Sequence, residues 1–208
     1  MNGALTGLPG LESAGEATVA RLEALVALLR KWNSAINLVA PASLPDVWRR
    51  HVADSAQVFA LRPAGARHWL DLGSGGGFPG QVVAILAAET APEQRVELVE
   101  SDQRKCIFLE TAARELGLDV TVTRGRIEEL PPRQADVVSA RALARLDRLC
   151  FFAQRHLAPG GTCLFLKGAD LDSEIAEARR HFDFDLSLSP SQTDARGVIA
   201  KLTGLSHV

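Results

Sequence analysis

The stretch His68-Trp-Leu-Asp-Leu-Gly-Ser-Gly-Gly-Gly-Phe-Pro-Gly80 determines how the rest of the sequence is interpreted. Residues 68–72 are mainly apolar and include Asp71 near their end, which is typical of a short buried strand. The glycines that follow let the backbone turn through positive φ angles or approach a ligand closely. A helix that begins near Gly80 offers free N–H groups and the positive end of its dipole to that ligand.

Two ligands suit this loop, and the spacing of its residues favours one of them. Gly75, Gly77 and Gly80 satisfy the G-x-G-x-x-G pattern that binds the pyrophosphate of a dinucleotide. Asp71, Gly73, Gly75 and Gly77 form D-x-G-x-G-x-G, in which the glycines start two residues after the acid. That spacing favours S-adenosyl-L-methionine (SAM), whose ammonium needs an acceptor such as Asp71, directly or through water. We expect Gly75 and Gly77 to face the ligand; a dinucleotide loop and a purely structural turn stay open.

Strands and helices alternate from this loop towards the C-terminus. The predicted strands are His68–Leu72, Val96–Val99, Val120–Thr123, Ala135–Ala140 and Thr162–Leu166. The predicted helices are Gly80–Ala88, Arg104–Leu116, Leu143–Leu157 and Asp170–His181. The last two strands, Phe182–Leu188 and Val198–Leu202, follow each other without a helix. This order predicts an α/β fold in which a parallel sheet ends in an antiparallel hairpin, the Rossmann-like sheet of class I SAM-dependent methyltransferases.

The N-terminal part of the chain has a helical pattern. Apolar residues recur at helical spacing from Ala17 to Trp32, and a second helix is predicted from Asp46 to Phe59. The sequence therefore predicts a helical extension, residues 1–65, packed on a Rossmann-like domain, residues 66–208.

Three further positions follow predicted strands at the edge where such sheets place their sites. Glu100 ends the second strand 25 residues past Gly75, where a carboxylate can accept both hydroxyls of a ribose. The backbone N–H groups of Ile127 and Glu128 are candidates to bind an adenine edge, and Arg141 is a candidate to contact a substrate phosphate or the cofactor carboxylate. Each also has a plainer interpretation: a solvated acid, a capped helix start and a surface arginine.

Composition sets the broad class. The chain has 208 residues, of which 47% are hydrophobic and 23% charged, as in ordinary globular proteins. No apolar run approaches the ~20 residues that a membrane span needs. Three cysteines without metal-ligand spacing argue against a disulfide framework or a zinc site. We expect a cytoplasmic monomer that binds no metal and no membrane.

The charged residues are unevenly distributed. The net charge of −2 argues against a general polyanion binder. Between Arg104 and Arg155, however, there are 10 basic residues against 7 acidic ones, so a local basic face is expected. Besides Arg141, the candidates for phosphate contacts are Arg104, Lys105, Arg126, Arg145 and Arg148.

Four strings together carry a family resemblance. They are Trp32-Asn33-x-x-x-Asn37-Leu38, Arg50-His51-x-x-Asp54-Ser55, Leu70–Gly80 and Ser139-Ala-Arg-Ala142. They resemble the RsmG family of small-subunit ribosomal RNA guanine-N7 methyltransferases, also called glucose-inhibited division protein B. The resemblance implies SAM as cofactor, a 7-methylguanine in 16S rRNA as product, and ribosomal RNA or the small ribosomal subunit as partner. The SAM contacts that the resemblance implies are Gly73, Phe78, Ile127, Glu128 and Arg141.

The chemistry of that reaction indicates that no catalytic base is needed. Guanine N7 carries an in-plane lone pair and no proton, so it can attack the sulfonium methyl directly. We therefore interpret His51 and Asp54 as a hydrogen-bonded pair that locks the helical extension onto the sheet, rather than as an acid–base pair. A small-molecule methyltransferase would share only the cofactor loop, and an NAD-dependent oxidoreductase only the fold; a non-enzymatic RNA-binding module is a more distant alternative.

Overall fold

The structure is a computed structural model that describes residues 7–208, so the first six residues of the predicted extension lie outside it. Its centre is a seven-stranded sheet with the strand order β3-β2-β1-β4-β5-β7-β6. The strands are β1 His68–Leu72, β2 Arg95–Glu100, β3 Val120–Arg124, β4 Ala135–Arg141, β5 Leu157–Lys167, β6 Phe182–Pro190 and β7 Val198–His207. The first five strands are parallel, and β7 is antiparallel to both β5 and β6, which confirms the predicted sheet and its terminal hairpin.

The helices cover both faces of this sheet. They are α1 Glu16–Asn33, α2 Asp54–Ala60, α3 Gly80–Thr90, α4 Gln103–Glu115, α5 Leu146–His156 and α6 Leu171–Ala178. A π-helical turn, Trp48–Ala53, runs directly into α2. No helix within residues 7–208 is both long and apolar enough to cross a membrane.

Apolar residues fill one core on each face. On one face, Leu25 of α1 and Ile85 of α3 are completely buried in the same cluster as Trp69 of β1. On the other face, Leu146 of α5 packs with Phe165 of β5. Strands buried on both faces explain the continuous apolar runs in the sequence. The helical extension thus shares its core with the sheet, and the predicted division at residue 65 stays a prediction.

The strand order fixes where a ligand can bind. β1 lies between β2 and β4, so successive connections leave the sheet in opposite directions from β1. Such a switch point opens a crevice outside the carboxyl ends of the strands. The glycine-rich loop that follows β1 lies at this point.

Several element boundaries differ from the sequence prediction, among them the start of α5 and the end of β7. α5 begins at Leu146 rather than at residue 143. The chain leaves the helical path at Ala142, which has a φ of 51°, and the residue before the helix, Arg145, is extended with a φ of −67° and a ψ of 161°. β7 extends to His207 because it pairs with β6 as far as Phe182.

The first testable consequence concerns Gly80 at the start of α3. A Cβ there would overlap Leu98 and lie 2.8 Å from Oδ2 of Asp71. We expect Gly80→Ala to lower the free energy of unfolding by about 1–3 kcal/mol, as overpacking does. Chemical denaturation measures this loss. Gly168→Ala is the matched control, since nothing lies within 4 Å of its added Cβ, and equal stability of the two variants would contradict the packing argument.

Candidate cofactor and substrate cleft

A cleft of about 1120 Å³ opens at the carboxyl edge of the parallel strands. Parts of six segments build its walls: 38–54, 73–78, 99–105, 125–128, 141–152 and 193–196. Strand ends, the helical extension and the hairpin loop between β6 and β7 therefore meet at one place.

The glycine loop turns through positive φ angles of 65° at Gly73, 55° at Gly75 and 87° at Gly77. Only glycine adopts such angles without strain. The three residues nevertheless face different surroundings. A Cβ on Gly75 would have only the Gly73 carbonyl oxygen within 4 Å, at 3.7 Å, whereas a Cβ on Gly77 would lie 2.7 Å from Cγ of Gln81.

Gly75 therefore faces the open cleft and Gly77 faces the protein interior. Gly75 is among the residues that line the cleft, and Gly77 is not. The expectation that Gly77 faces the ligand is corrected: Gly77 is glycine because the packing of α3 and α4 leaves no room for a side chain. The D-x-G-x-G-x-G pattern does not distinguish these two roles.

Asp71 supports the glycine loop from the protein interior. Its side chain is completely buried and does not line the cleft. Oδ1 accepts a hydrogen bond from the Ser139 hydroxyl at 2.6 Å, and Oδ2 accepts one from the Gly80 N–H at 3.3 Å. Burial raises the pKa of Asp71 to about 6, although these hydrogen bonds oppose the shift. The direct ligand contact expected for Asp71 is not available in this geometry, because the carboxylate is enclosed between β1, β4 and α3.

Glu100 lines the cleft and also organises it. Oε2 accepts from the N–H of Gly75 at 2.9 Å, and Oε1 accepts from the N–H groups of Ser101 and Asp102, both at 2.8 Å. The carboxylate thus joins the end of β2 to the glycine loop before any ligand binds. A carboxylate has about four acceptor sites, so acceptor capacity remains for a ribose.

The residues predicted to bind adenine lie on a short 3-10 turn, Ile127–Glu129. Ile127 and Glu128 both line the cleft. The completely buried His156 fixes this turn from behind, since its Nε2 lies 2.9 Å from the Ile127 carbonyl oxygen and donates to it. No pattern in the sequence marks His156, which lies in the last turn of α5.

Arg141 is held at the end of β4 by the helical extension. Nη1 donates to the Arg50 carbonyl at 2.9 Å and lies 3.7 Å from Oδ2 of Asp54. Nη2 lies 2.6 Å from Nδ1 of His51, and the guanidinium carbon stands 5.3 Å from the centre of the Phe78 ring. Arg141 and Phe78 both line the cleft.

These contacts fix the tautomer of His51. Arginine only donates hydrogen bonds, so Nδ1 is the acceptor and Nε2 carries the proton. Nε2 donates to Oγ of Ser43 at 2.7 Å, and Ser43 donates to the Ala40 carbonyl, also at 2.7 Å. Burial, followed by the charges of Arg141 and Arg50, lowers the pKa of His51 to about 3.

The interpretation of His51 and Asp54 as a mutually bonded pair is therefore corrected in one respect. Within residues 7–208 their side chains bond to Arg141 rather than to each other, because Arg141 lies between them. Asp54 also accepts from the hydroxyls of Ser191 and Thr193, at 3.2 and 2.8 Å. The two residues connect the extension to the sheet and to the hairpin loop.

The first string of the resemblance has a local structural role. Oδ1 of Asn33 accepts from the N–H groups of Leu38 and Val39, at 3.0 and 2.9 Å. The resulting turn places the Leu38 carbonyl where a Cβ on Gly76 would be 2.9 Å away. The extension thus covers the glycine loop directly.

The predicted basic residues divide into two groups. Lys105, Arg126 and Arg148 line the cleft, whereas Arg104 and Arg145 are exposed but outside its lining. Some of their charge is locally compensated, because Arg148 lies 3.4 Å from Glu128 and Arg104 lies 3.7 Å from Asp102.

Three further arginines, which the sequence did not indicate as ligand contacts, also line the cleft: Arg49, Arg50 and Arg196. Arg50 belongs to one of the strings that carry the family resemblance, but the resemblance implies no ligand contact for it. Arg196 lies in the hairpin loop, far from the glycine loop along the chain, so no local pattern connects it with the cleft.

The residues present fit SAM. Gly75 leaves a cradle that a side chain would fill, and Glu100 presents a carboxylate at the cleft. Besides Gly75, Glu100 and the Arg141–Phe78 pair, the lining includes Gly73, Ile127 and Glu128, so these predicted cofactor residues share one wall. Acceptors for a ribose, a turn for an adenine and an open glycine backbone are the groups that SAM requires.

Comparisons with known proteins agree with this assignment. The family model described as rRNA small subunit methyltransferase G matches residues 18–196. The chain is 56% identical over 191 residues to "Ribosomal RNA small subunit methyltransferase G" of Cereibacter sphaeroides (strain ATCC 17025), covering 92% of each chain. It is 51% identical to the protein of the same name from Ruegeria sp. (strain TM1040), covering 92% of this chain and 93% of that one.

Solved structures show the same fold at low identity. An O-methyltransferase from Bacillus cereus in complex with SAH has a TM-score of 0.60 and 15% identity, covering 88% of this chain and 90% of that one. A TehB-like SAM-dependent methyltransferase from Corynebacterium glutamicum has a TM-score of 0.55 and 17% identity, covering 89% and 98%.

The fold and the cleft define a class I SAM-dependent methyltransferase. Within that class, the chain belongs to the rRNA small subunit methyltransferase G family.

The second prediction uses the lowered pKa of His51. Below about pH 6.5 the unfolded chain takes up a proton at His51, whereas the folded chain stays neutral there until about pH 3. The unfolded state binds more protons in this window, so the stability that His51 contributes is lost as the pH falls. We expect the difference in unfolding free energy between wild type and His51→Asn to shrink from pH 7 to pH 4, measured by urea denaturation.

Ser43→Ala is the matched control, because it removes the hydroxyl partner and keeps the imidazole. Its pH dependence is expected to follow that of the wild type. A wild type minus His51→Asn difference that stays constant from pH 8 to pH 4 would contradict the neutral, buried histidine.

Proposed function

We propose that this protein transfers the methyl group of SAM to N7 of a guanine in 16S rRNA. The observation that carries the proposal is the identity of 50–56% to proteins named "Ribosomal RNA small subunit methyltransferase G" over nearly the whole chain. The substrate is then ribosomal RNA, free or within the small ribosomal subunit, and the site of action is the cytoplasm. A monomeric state and a metal-free site stay predictions.

The cofactor residues have distinct proposed roles. The loop from Gly73 to Phe78 holds the methionine part, Glu100 accepts hydrogen bonds from the ribose hydroxyls, and the Ile127–Glu129 turn binds the adenine. Arg141 lies between this wall and the helical extension and faces both cofactor and substrate. Asp71 and Gly77 support the loop without touching the ligand.

The reaction needs orientation rather than proton transfer. SAM supplies a methyl group on a positively charged sulfur, and the lone pair of guanine N7 displaces that sulfur directly. No side chain has to remove a proton, which agrees with a His51 that is neutral and hydrogen-bonded through both ring nitrogens. Holding the two reactants in line is worth roughly 7–11 kcal/mol of the barrier in favourable cases.

The RNA is proposed to reach the cleft as an unpaired strand. N7 lies on the major-groove edge of guanine, and the A-form major groove is too deep and narrow for side chains. Lys105, Arg126 and Arg148 are proposed to contact phosphates along the lining of the cleft. Arg104 and Arg145 extend that contact onto the surface beside it.

The direct test is transfer of tritiated methyl from SAM to small ribosomal subunits that lack the modification. We expect one methylated guanine, located by chain cleavage at 7-methylguanine. Small subunits that already carry the modification are the control. Label at another atom, or label in none of the RNA, would overturn the proposal.

The third prediction concerns Glu100. Each hydrogen bond to a charged group contributes about 1.5–3 kcal/mol, so losing the ribose contacts in Glu100→Ala is expected to weaken SAM binding at least tenfold by calorimetry. Unlike a residue that only binds ligand, Glu100 also accepts three backbone N–H groups, so the ligand-free variant is expected to melt at a lower temperature.

Glu128→Ala is the matched control, because the Glu128 side chain contacts Arg148 at the surface rather than the backbone of the glycine loop. It is expected to melt like the wild type. SAM affinity unchanged in Glu100→Ala would remove Glu100 from the cofactor site.

A further inference from the structure

Three arginines line the cleft away from the glycine loop. Arg49 and Arg50 belong to the π-helical turn before α2, and Arg196 lies in the hairpin loop between β6 and β7. All three are exposed. Within residues 7–208, no carboxylate oxygen lies within 4.0 Å of any of these guanidinium groups. Their charges are therefore available to a ligand.

Two other arginines of the lining differ in this respect, whereas Arg126, on the opposite side, also has no carboxylate oxygen within 4.0 Å among residues 7–208. Arg141 faces Asp54, and Arg148 faces Glu128. A guanidinium with a carboxylate partner attracts an anion less than one without, because the two charges partly cancel.

The two segments that carry the unpaired arginines are fastened to each other. Asp54 accepts from the hydroxyls of Thr193 and Ser191, and Oε1 of Gln57 accepts from the N–H of Gln192 at 2.8 Å. Thr193 is buried by this contact. The hairpin loop is thus held against α2, and Arg196 is fixed in the same wall as the two arginines before α2.

Three acidic residues share this wall, and one of them, Asp54, faces Arg141. Oδ1 of Asp194 accepts from the backbone N–H of Arg196 at 3.0 Å, so it is engaged with its own loop. Asp46 is exposed at the start of the π-helical region. With Asp54 offset by Arg141, three arginines face the other two carboxylates, so the wall keeps an excess of positive charge.

We propose that Arg49, Arg50 and Arg196 form a second phosphate-binding wall, which grips the backbone of an unpaired RNA strand from the side opposite Lys105 and Arg126. The inference rests on the proposed RNA substrate and adds where that strand is held. Guanidinium groups present paired N–H donors that match phosphate oxygens, and exposed ones bind without first breaking an ion pair.

The test compares two triple variants with the same change in charge. The first is Arg49→Glu, Arg50→Glu and Arg196→Glu. The second, the control, is Arg67→Glu, Arg95→Glu and Arg114→Glu, at exposed positions towards the opposite edge of the sheet. Binding to unmodified 16S rRNA transcript is measured by filter retention over a series of salt concentrations, together with calorimetric SAM affinity and the melting temperature.

We expect the first variant to bind the transcript at least tenfold more weakly than the wild type at low salt. Each lost phosphate contact lowers the slope of log K against log salt by about 0.7, so the slope becomes shallower by about 2. SAM affinity is expected to be unchanged in both variants. The control is expected to lose less than threefold in RNA affinity.

Equal loss in the two triple variants would overturn the proposal, because it would show a general charge effect. An unchanged salt slope in the first variant would overturn it as well. The corresponding glutamine variant removes charge without adding repulsion and gives the same comparison should the glutamate variant unfold. Wild-type protein that binds the transcript but methylates neither it nor small subunits lacking the modification would refute the proposed reaction, and the comparison of the two triple variants would still decide whether the wall binds RNA.

Discussion

The cleft depends on a buried carboxylate, that of Asp71. The indole N–H of Trp69 donates to the Ser139 hydroxyl at 2.8 Å, and Ser139 then donates to Asp71. Asp71 in turn accepts from the first residue of α3, Gly80. One chain of hydrogen bonds thus joins β1, β4 and α3 at the point where the sheet changes direction. The glycine loop can leave its backbone open to a ligand because this chain holds the loop from below.

A second hydrogen-bond network, around Arg141, holds the side of the cleft that faces the helical extension. Arg141 ends β4 and is bound by Arg50, His51 and Asp54 from the helical extension. Asp54 continues to the hairpin loop through Thr193. The extension is therefore a wall of the site as well as a cover for one face of the sheet. A shift of α2 would move the guanidinium of Arg141 and the hairpin loop together.

Much of the fold could be predicted from the sequence because its signals are local. Strand periodicity, the glycine loop and the absence of a helix before β7 all lie within short windows. Residues that line the cleft could be predicted where a local motif or a strand end marks them, as at Gly75, Glu100 and Ile127. The site was not predictable where identical residue types have different neighbours: Gly75 opens to the cleft and Gly77 to the interior.

Long-range contacts explain why the surroundings of several other residues could not be predicted from the sequence. The hydrogen bond from Thr193 to Asp54 spans 139 residues, and no local pattern indicates which surfaces it brings together. That contact helps to hold the loop of Arg196 at the cleft. The position of Asp71 beneath the loop likewise follows from Ser139 on a neighbouring strand. His156 supports Ile127 across 29 residues for the same reason.

The arrangement of charge explains how a protein with a net charge of −2 can handle RNA. Total charge governs the field at a distance, whereas binding depends on the charges that line the cleft. At the cofactor wall Glu100 accepts from the backbone and Glu128 faces Arg148, and SAM itself carries positive charge. Three arginines without a nearby carboxylate, Arg49, Arg50 and Arg196, lie on the wall formed by the extension and the hairpin loop. A cationic cofactor and an anionic strand can therefore meet at Arg141, with each facing charge of the opposite sign on its own side.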